Sequence, residues 1–283
     1  MPDARPPRIL VGDRRARLAL AALVALGAVA LVAPWLAPFD PTLPLDPVGA
    51  RALAPSARHW MGTDLASRDV LSRLLAGTRL SLAIGVSAAL LAGGVGLGYG
   101  AVAGFAGGRT GGAMMRAVDA LLAIPRALLL LAVLSLWPRV TPVALVLLLG
   151  GTGWFGVARL ACAEAAATRT RDYVTAARAL GASPLRQLVA HVLPHAAAPV
   201  LVAGTLAVAQ AIVLEAALSY LGVGLPQPTP TWGNIIRDGR ETIGTTWWLT
   251  LFPGAALVGT ALAVHAVADR LRLAHDRRDL PAP

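Results

Sequence analysis

The sequence predicts an all-α polytopic membrane protein with six transmembrane helices, and three observations predict it. Hydrophobic residues make up 56% of the 283 positions and another 29 are glycine, well above the roughly 45–50% apolar share of soluble domains. Charged residues are 14%, against about 25% in an average globular chain. The apolar residues also gather into six blocks, each close to the length that crosses a bilayer, with arginines between them.

Two absences narrow the chemistry. All 25 basic residues are arginine. A nucleotide-binding P-loop needs a lysine on the phosphates, and Schiff-base chemistry needs a lysine amine, so neither belongs to this chain. Cys162 is the single cysteine, which excludes an intrachain disulfide and a cysteine-based zinc cluster. The net charge of +10 is spread between apolar blocks. That suits loops on an anionic membrane surface better than a nucleic-acid partner. No Ser/His, paired-Asp or His/Glu constellation falls at one membrane depth, so no catalytic residue, metal site or cofactor is expected here.

Residues 1–17 form an N-terminal tail, and the first span covers 18–36. A cleaved leader competes for this stretch, because Ala28, Val29 and Ala30 imitate a cleavage site; the block's length favours a retained helix. Residues 37–79 form an outside connector. Pro38, Pro41, Pro44, Pro47 and Pro55 keep its first part extended. A short interfacial helix is predicted over 65–76, with Val70, Leu71, Leu74 and Leu75 on one face, Asp69 and Arg73 paired on the other, and Gly77 ending it.

Residues 80–269 hold the five remaining spans, and 270–283 form a C-terminal tail. The second span, 80–105, carries Gly96, Gly100 and Gly104 on one face, where another helix can approach closely. The third, 117–137, contains Asp119, Pro125 and Arg126. The fourth is 143–158. The fifth, 196–223, contains Glu215, and the sixth is 247–268. Trp35, Trp137, Trp154, Trp247 and Trp248 lie near block ends, where amphipathic rings favour the interface.

With the N-terminus inside, inner segments hold 16 arginines and outer segments 8, which supports cytoplasmic termini. Charges within spans cost about 2.5–3.5 kcal/mol on insertion scales, so Asp119, Arg126 and Glu215 are candidates for a pathway or gate. Asp119 follows Arg116 by three residues, which favours a local ion pair. Arg126 and Glu215 could pair across the bundle, and the sequence leaves open whether they meet.

The inside stretch 163–194 is too polar to span. Tyr173, Ala176, Ala177 and Leu180 share one face of a short helix, and Gly181 interrupts it. Ser183 can cap a second helix with Pro184 at its first position, and Pro194 is expected to end that helix. His191 and His195 are four apart, but a break at Pro194 would misalign them.

The spacing of Ala176, Ala177, Gly181, Leu193 and Pro194 resembles the EAA loop of bacterial ABC importer permeases. Thr175 stands where that family usually has glutamate, and His191 where it has isoleucine. Further stretches resemble the C-type permease subunit of dipeptide, oligopeptide and nickel importers. They include Gly62, Thr63 and Asp64 with Ser67, Arg68 and Asp69; Arg116, Asp119 and Pro125; Glu215, Ser219 and Gly222; Pro230, Trp232, Gly233 and Asn234; and Phe252, Pro253 and Gly254. The likeness runs from about His59 to Leu273.

The resemblance implies a MetI-like permease fold in the bacterial inner membrane. It implies a homologous second permease, two cytoplasmic ABC ATPase subunits and an extracytoplasmic solute-binding protein as partners, with membrane lipid around them. ATP hydrolysis would belong to the ATPase subunits. Tyr173, Thr175, Ala176, Ala177, Arg178 and Gly181 would couple to the ATPase. Relatives of this kind carry dipeptides, longer peptides, nickel complexes or glutathione, and di- or oligopeptides are expected here. A stand-alone secondary transporter is the rival class; the inverted repeats it would favour are not visible between the halves.

Overall fold

The computed structural model describes residues 14–137 and 139–276. In order, these form α1 (Arg14–Leu36), α2 (Val70–Ala106), α3 (Gly108–Leu122), α4 (Arg126–Ser135), α5 (Pro142–Thr168), α6 (Asp172–Ala179), α7 (Pro184–Gln187), a π-helical turn (Leu188–Val192), α8 (Leu193–Tyr220), α9 (Trp232–Gly239) and α10 (Trp248–Asp276). Five helical runs are long and apolar enough to cross a membrane: α1, α2, α5, Pro184–Tyr220 and α10. A sixth crossing arises if α3 and α4 are one span bent by 69°. Arg5, Arg8, Arg277 and Arg278, used in the sidedness count, lie outside the described residues.

The connector after α1 is held by side chains rather than by helix. Asp40 accepts from the Thr42 hydroxyl and from the Thr42 and Leu43 amides. The Thr42 bonds hold its carboxyl below the usual range. Asp46 is lowered in the same way by the Gly49 and Val48 amides.

The predicted pair of elements over 65–105 is in fact one helix. α2 starts at Val70 and runs through Gly77 without a break. Asp69 is its N-cap and accepts from the Ser72 amide (2.9 Å) and hydroxyl (2.8 Å). That commits Asp69 to the helix end, and it does not pair with Arg73. A lone glycine costs a helix only about 1 kcal/mol relative to alanine, and at Gly77 the bare face lets the Thr231 backbone approach.

α2 and α5 form the central pair. A Cβ at Gly100 would overlap the Ala158 carbonyl, and one at Gly104 would overlap the Cys162 carbonyl. These glycines therefore bring two backbones together along a seam of small residues, which is how helices gain contact where lipid is as apolar as leucine. α5 runs ten residues past the predicted block, to Thr168, with Ala161 and Ala165 continuing the seam. Ile84, Leu130, Leu134, Leu145, Leu149 and Leu218 fill the core beside it.

Pro194 does not end a helix. Its missing N–H leaves the ladder one donor short, and the Leu193 amide reaches back to the Leu188 carbonyl through the π turn. The axis passes on into α8. Two tryptophans also differ from expectation. Trp248 is 3% exposed, and its indole donates to the Thr63 carbonyl (3.0 Å). Trp154 packs against Tyr99 and Phe155 within the bundle.

Candidate functional site

α6 lies in the polar stretch between α5 and α8. Asp172 lies in its first turn and Arg178 in its last, each at the end that the helix dipole favours. Val174 is fully buried and anchors the helix. The C-terminus closes as a Schellman motif. Gly181 donates to the Arg178 carbonyl and Ala182 to the Ala177 carbonyl, both at 3.0 Å. Gly181 has φ +84°, a region that costs an L-residue about 1–2 kcal/mol. Ser183 then caps α7 through the Arg186 amide (3.3 Å).

Gln187 locks the two sides of this turn. It is buried, its amide donates to the Ala182 carbonyl (2.7 Å), and its oxygen accepts from Arg178 Nε (3.3 Å). Tyr173 packs edge-on to His191 and tilted against His195, with centroids 6.2 and 5.4 Å away. The two histidines are therefore aligned after all, because the helix continues through Pro194. His195 Nδ1 donates to the His191 carbonyl (2.9 Å).

The four residues expected on one face of α6 differ in exposure. Tyr173, Ala176 and Leu180 are exposed, and Leu180 is 89% so; Ala177 is half-buried against the protein. The Thr175 hydroxyl bonds to its own helix at the Asp172 carbonyl (2.8 Å).

The three charges in the spans do not form one cluster. Asp119 lies 3.7 Å from Arg159, not beside Arg116, whose Nε donates to the Gly112 carbonyl. Both Asp119 and Arg159 are exposed, and such a pair contributes about 0–1 kcal/mol. Arg126 and Glu215 do not pair. Arg126 Nε donates to Thr152 Oγ1 (3.0 Å) and Nη2 to the Leu149 carbonyl (2.5 Å). Glu215 is fully buried and accepts from Ser219 (2.7 Å) and Ser81 (3.1 Å). Ser81 also accepts from the Trp232 amide (3.4 Å), while the Trp232 indole donates to Thr78 (3.1 Å). Glu215 thus sits in the polar patch that fixes the start of α9.

Around the start of α2 a buried ionic knot joins distant segments. Asp64 is paired with Arg68 Nε (2.7 Å) and with Arg73. Asp238 on α9 pairs with Arg73 (2.9 Å) and Arg68 (3.2 Å). Gln227 accepts from Arg68 Nη1 (2.7 Å). His59 Nδ1 lies 3.0 Å from Asp69 beside it.

The profile of a protein family, the binding-protein-dependent transport system inner membrane component, matches residues 96–278. The chain belongs to this family. It is similar to the di/tripeptide transport system permease protein DppC of Pseudomonas aeruginosa, with 38% identity over 87% of this chain and 82% of that protein. It is also similar to the oligopeptide transport system permease protein OppC of Bacillus subtilis, with 37% identity over 78% of this chain and 72% of that one.

The protein is thus the permease subunit of an ABC importer and a multi-pass inner-membrane component. Such a permease works with other ABC subunits and a solute-binding protein. The turn at Gly181, Ser183 and Pro184 was readable in the sequence, but the knot at the start of α2 was not. The stretch from Gly62 to Asp69 stood out only as a resemblance, and the spacing of Asp69 and Arg73 pointed to the wrong pair.

Proposed function

We propose that this permease imports di- or oligopeptides, that separate subunits hydrolyse the ATP, and that those subunits dock on the turn formed by α6 and Gly181. The names of the relatives support the peptide assignment. The observation that carries the docking assignment is the turn itself: a short helix fixed by Val174, Gln187 and the Gly181 motif that leaves Tyr173, Ala176 and Leu180 uncovered. A flexible loop would absorb the movement of a closing ATPase pair. A turn locked at both ends passes it to α8, and two packings of the bundle can then be biased by one partner. The assembly would hold this chain beside a homologous permease, two ATPase subunits and a peptide-loaded binding protein.

Proteoliposomes holding all of these should take up a tripeptide only with ATP, and this chain alone should hydrolyse none. Uptake of glutathione or a nickel complex in place of peptides would reassign the substrate. Uptake without the ATPase subunits would indicate a stand-alone secondary transporter.

The orientation follows from the excess of arginine on the inner segments. Reporter fusions at Ala50 and Thr170 should sit on opposite sides, with Ala50 outside and Thr170 in the cytoplasm. Fusions reporting one side for both would remove the proposed topology.

A further inference from the structure

The third crossing carries two features that a lipid-facing span cannot. Its helix stops at residues 123–125, α3 and α4 meet at 69°, and residues 121–125 are exposed. The break is deep. Counted along α5 from Pro142 at 1.5 Å per residue, Thr152 lies about 15 Å below the outer end, and Arg126 is bonded to Thr152. Non-helical backbone at such depth persists only where protein covers it or where it lines a water-filled cavity.

The second feature is an uncancelled charge. Arg126 has no carboxylate partner among the described residues; its contacts are the Thr152 hydroxyl and the Leu149 carbonyl. Both acceptors are neutral. They fix the direction of the guanidinium without removing its charge, and Nη1 has no hydrogen-bond partner among the described residues. Gly153 makes the room, since a Cβ there would stand 3.1 Å from Nη2.

We infer that Arg126 is a transit site for the carboxylate of a peptide crossing the membrane. The inference rests on the peptide assignment above and names the group recognised at this site. The sign of the charge calls for an anion. Leu121, Ile124 and Leu128 around it are exposed and apolar, so they offer no rival hydrogen bonds and choose no particular side chain. The C-terminal carboxylate is the group that peptides of any sequence share. One free nitrogen gives a single-point contact, which holds a passing ligand weakly enough to release it. A lasting contact to a carboxylate of the second permease is the competing occupant.

The test is tripeptide uptake and ATP hydrolysis by the full reconstituted complex, using trialanine and its loaded binding protein. Arg126→Gln should lower uptake per ATP by about tenfold or more, the loss expected from removing one hydrogen bond to a charged group. Subunit composition and binding-protein-stimulated hydrolysis should stay normal. Arg126→Lys, which keeps the charge, should recover much of the uptake. Unchanged uptake in Arg126→Gln would overturn the site and leave peptide import standing. Loss of the second permease from the Arg126→Gln complex would put the guanidinium in the subunit interface and also overturn it. No trialanine uptake by the wild-type complex would overturn the peptide assignment, and the site with it.

Discussion

Leu180→Asp should abolish peptide uptake while the permease still inserts at its normal level. Leu180 is 89% exposed and sits at the C-cap of α6, on the uncovered side with Tyr173 and Ala176. A leucine so placed contributes almost nothing to this chain's own stability, and surface changes of this kind stay within about 0.5 kcal/mol. In an apolar docking pocket the same aspartate would be a buried, unpaired charge, which is among the most costly changes an interface can suffer. Ala176→Asp should behave alike. The measurement is uptake alongside pull-down of the ATPase from the same membranes, with expression held equal. Normal uptake in both variants would mean that α6 is not where the ATPase docks.

The largest effect on stability is expected from Asp64→Ala. Asp64 is fully buried and takes the amides of Ala66 and Arg68, the Arg68 Nε and the Arg73 guanidinium. Arg73 is also fully buried, so removing Asp64 leaves a buried cation with Asp238 as its remaining partner. Breaking a buried ion pair from one side costs about 3–5 kcal/mol, a large fraction of the roughly 5–15 kcal/mol that holds a folded protein together. Thermal unfolding of the detergent-purified permease should show a large fall in midpoint or a collapse in yield. Asp40→Ala, in the exposed turn of the same connector, is the control and should change little. Equal behaviour of the two would show that the knot does not hold this end of the bundle together.

What was legible in the sequence follows the physics that acts locally. Apolar blocks reveal spans because a backbone in lipid must bond to itself. Gly181, Ser183 and Pro184 reveal a turn because each meets a requirement of its own few residues. The knot was invisible for the opposite reason: Arg73 and Asp238 are 165 positions apart, and no pattern near either names the other. The spacing of Asp69 and Arg73 suggested a surface pair, but a helix end with unsatisfied amides was the stronger claim on Asp69. Pro194 misled through propensity, since packing carries the axis through it by way of a π turn. Arg126 and Glu215 looked complementary in sign, yet each settles among neutral donors or acceptors within the bundle.

The knot of Asp64, Arg68, Arg73 and Asp238 also gives α2 a fulcrum. Arg73, four residues into the helix, is tied to the connector and to α9, so the start of α2 is pinned. Its 37 residues make an arm of about 55 Å at 1.5 Å per residue. A tilt about that pin would swing the far end by about 1 Å per degree, on the same length. Ala101 and Phe105, close to that end, pack against Val192 and Leu188 of the π turn. A few degrees of tilt about the pinned start of α2 would thus become a stroke of several ångströms at the π turn, against which Tyr173 of α6 packs.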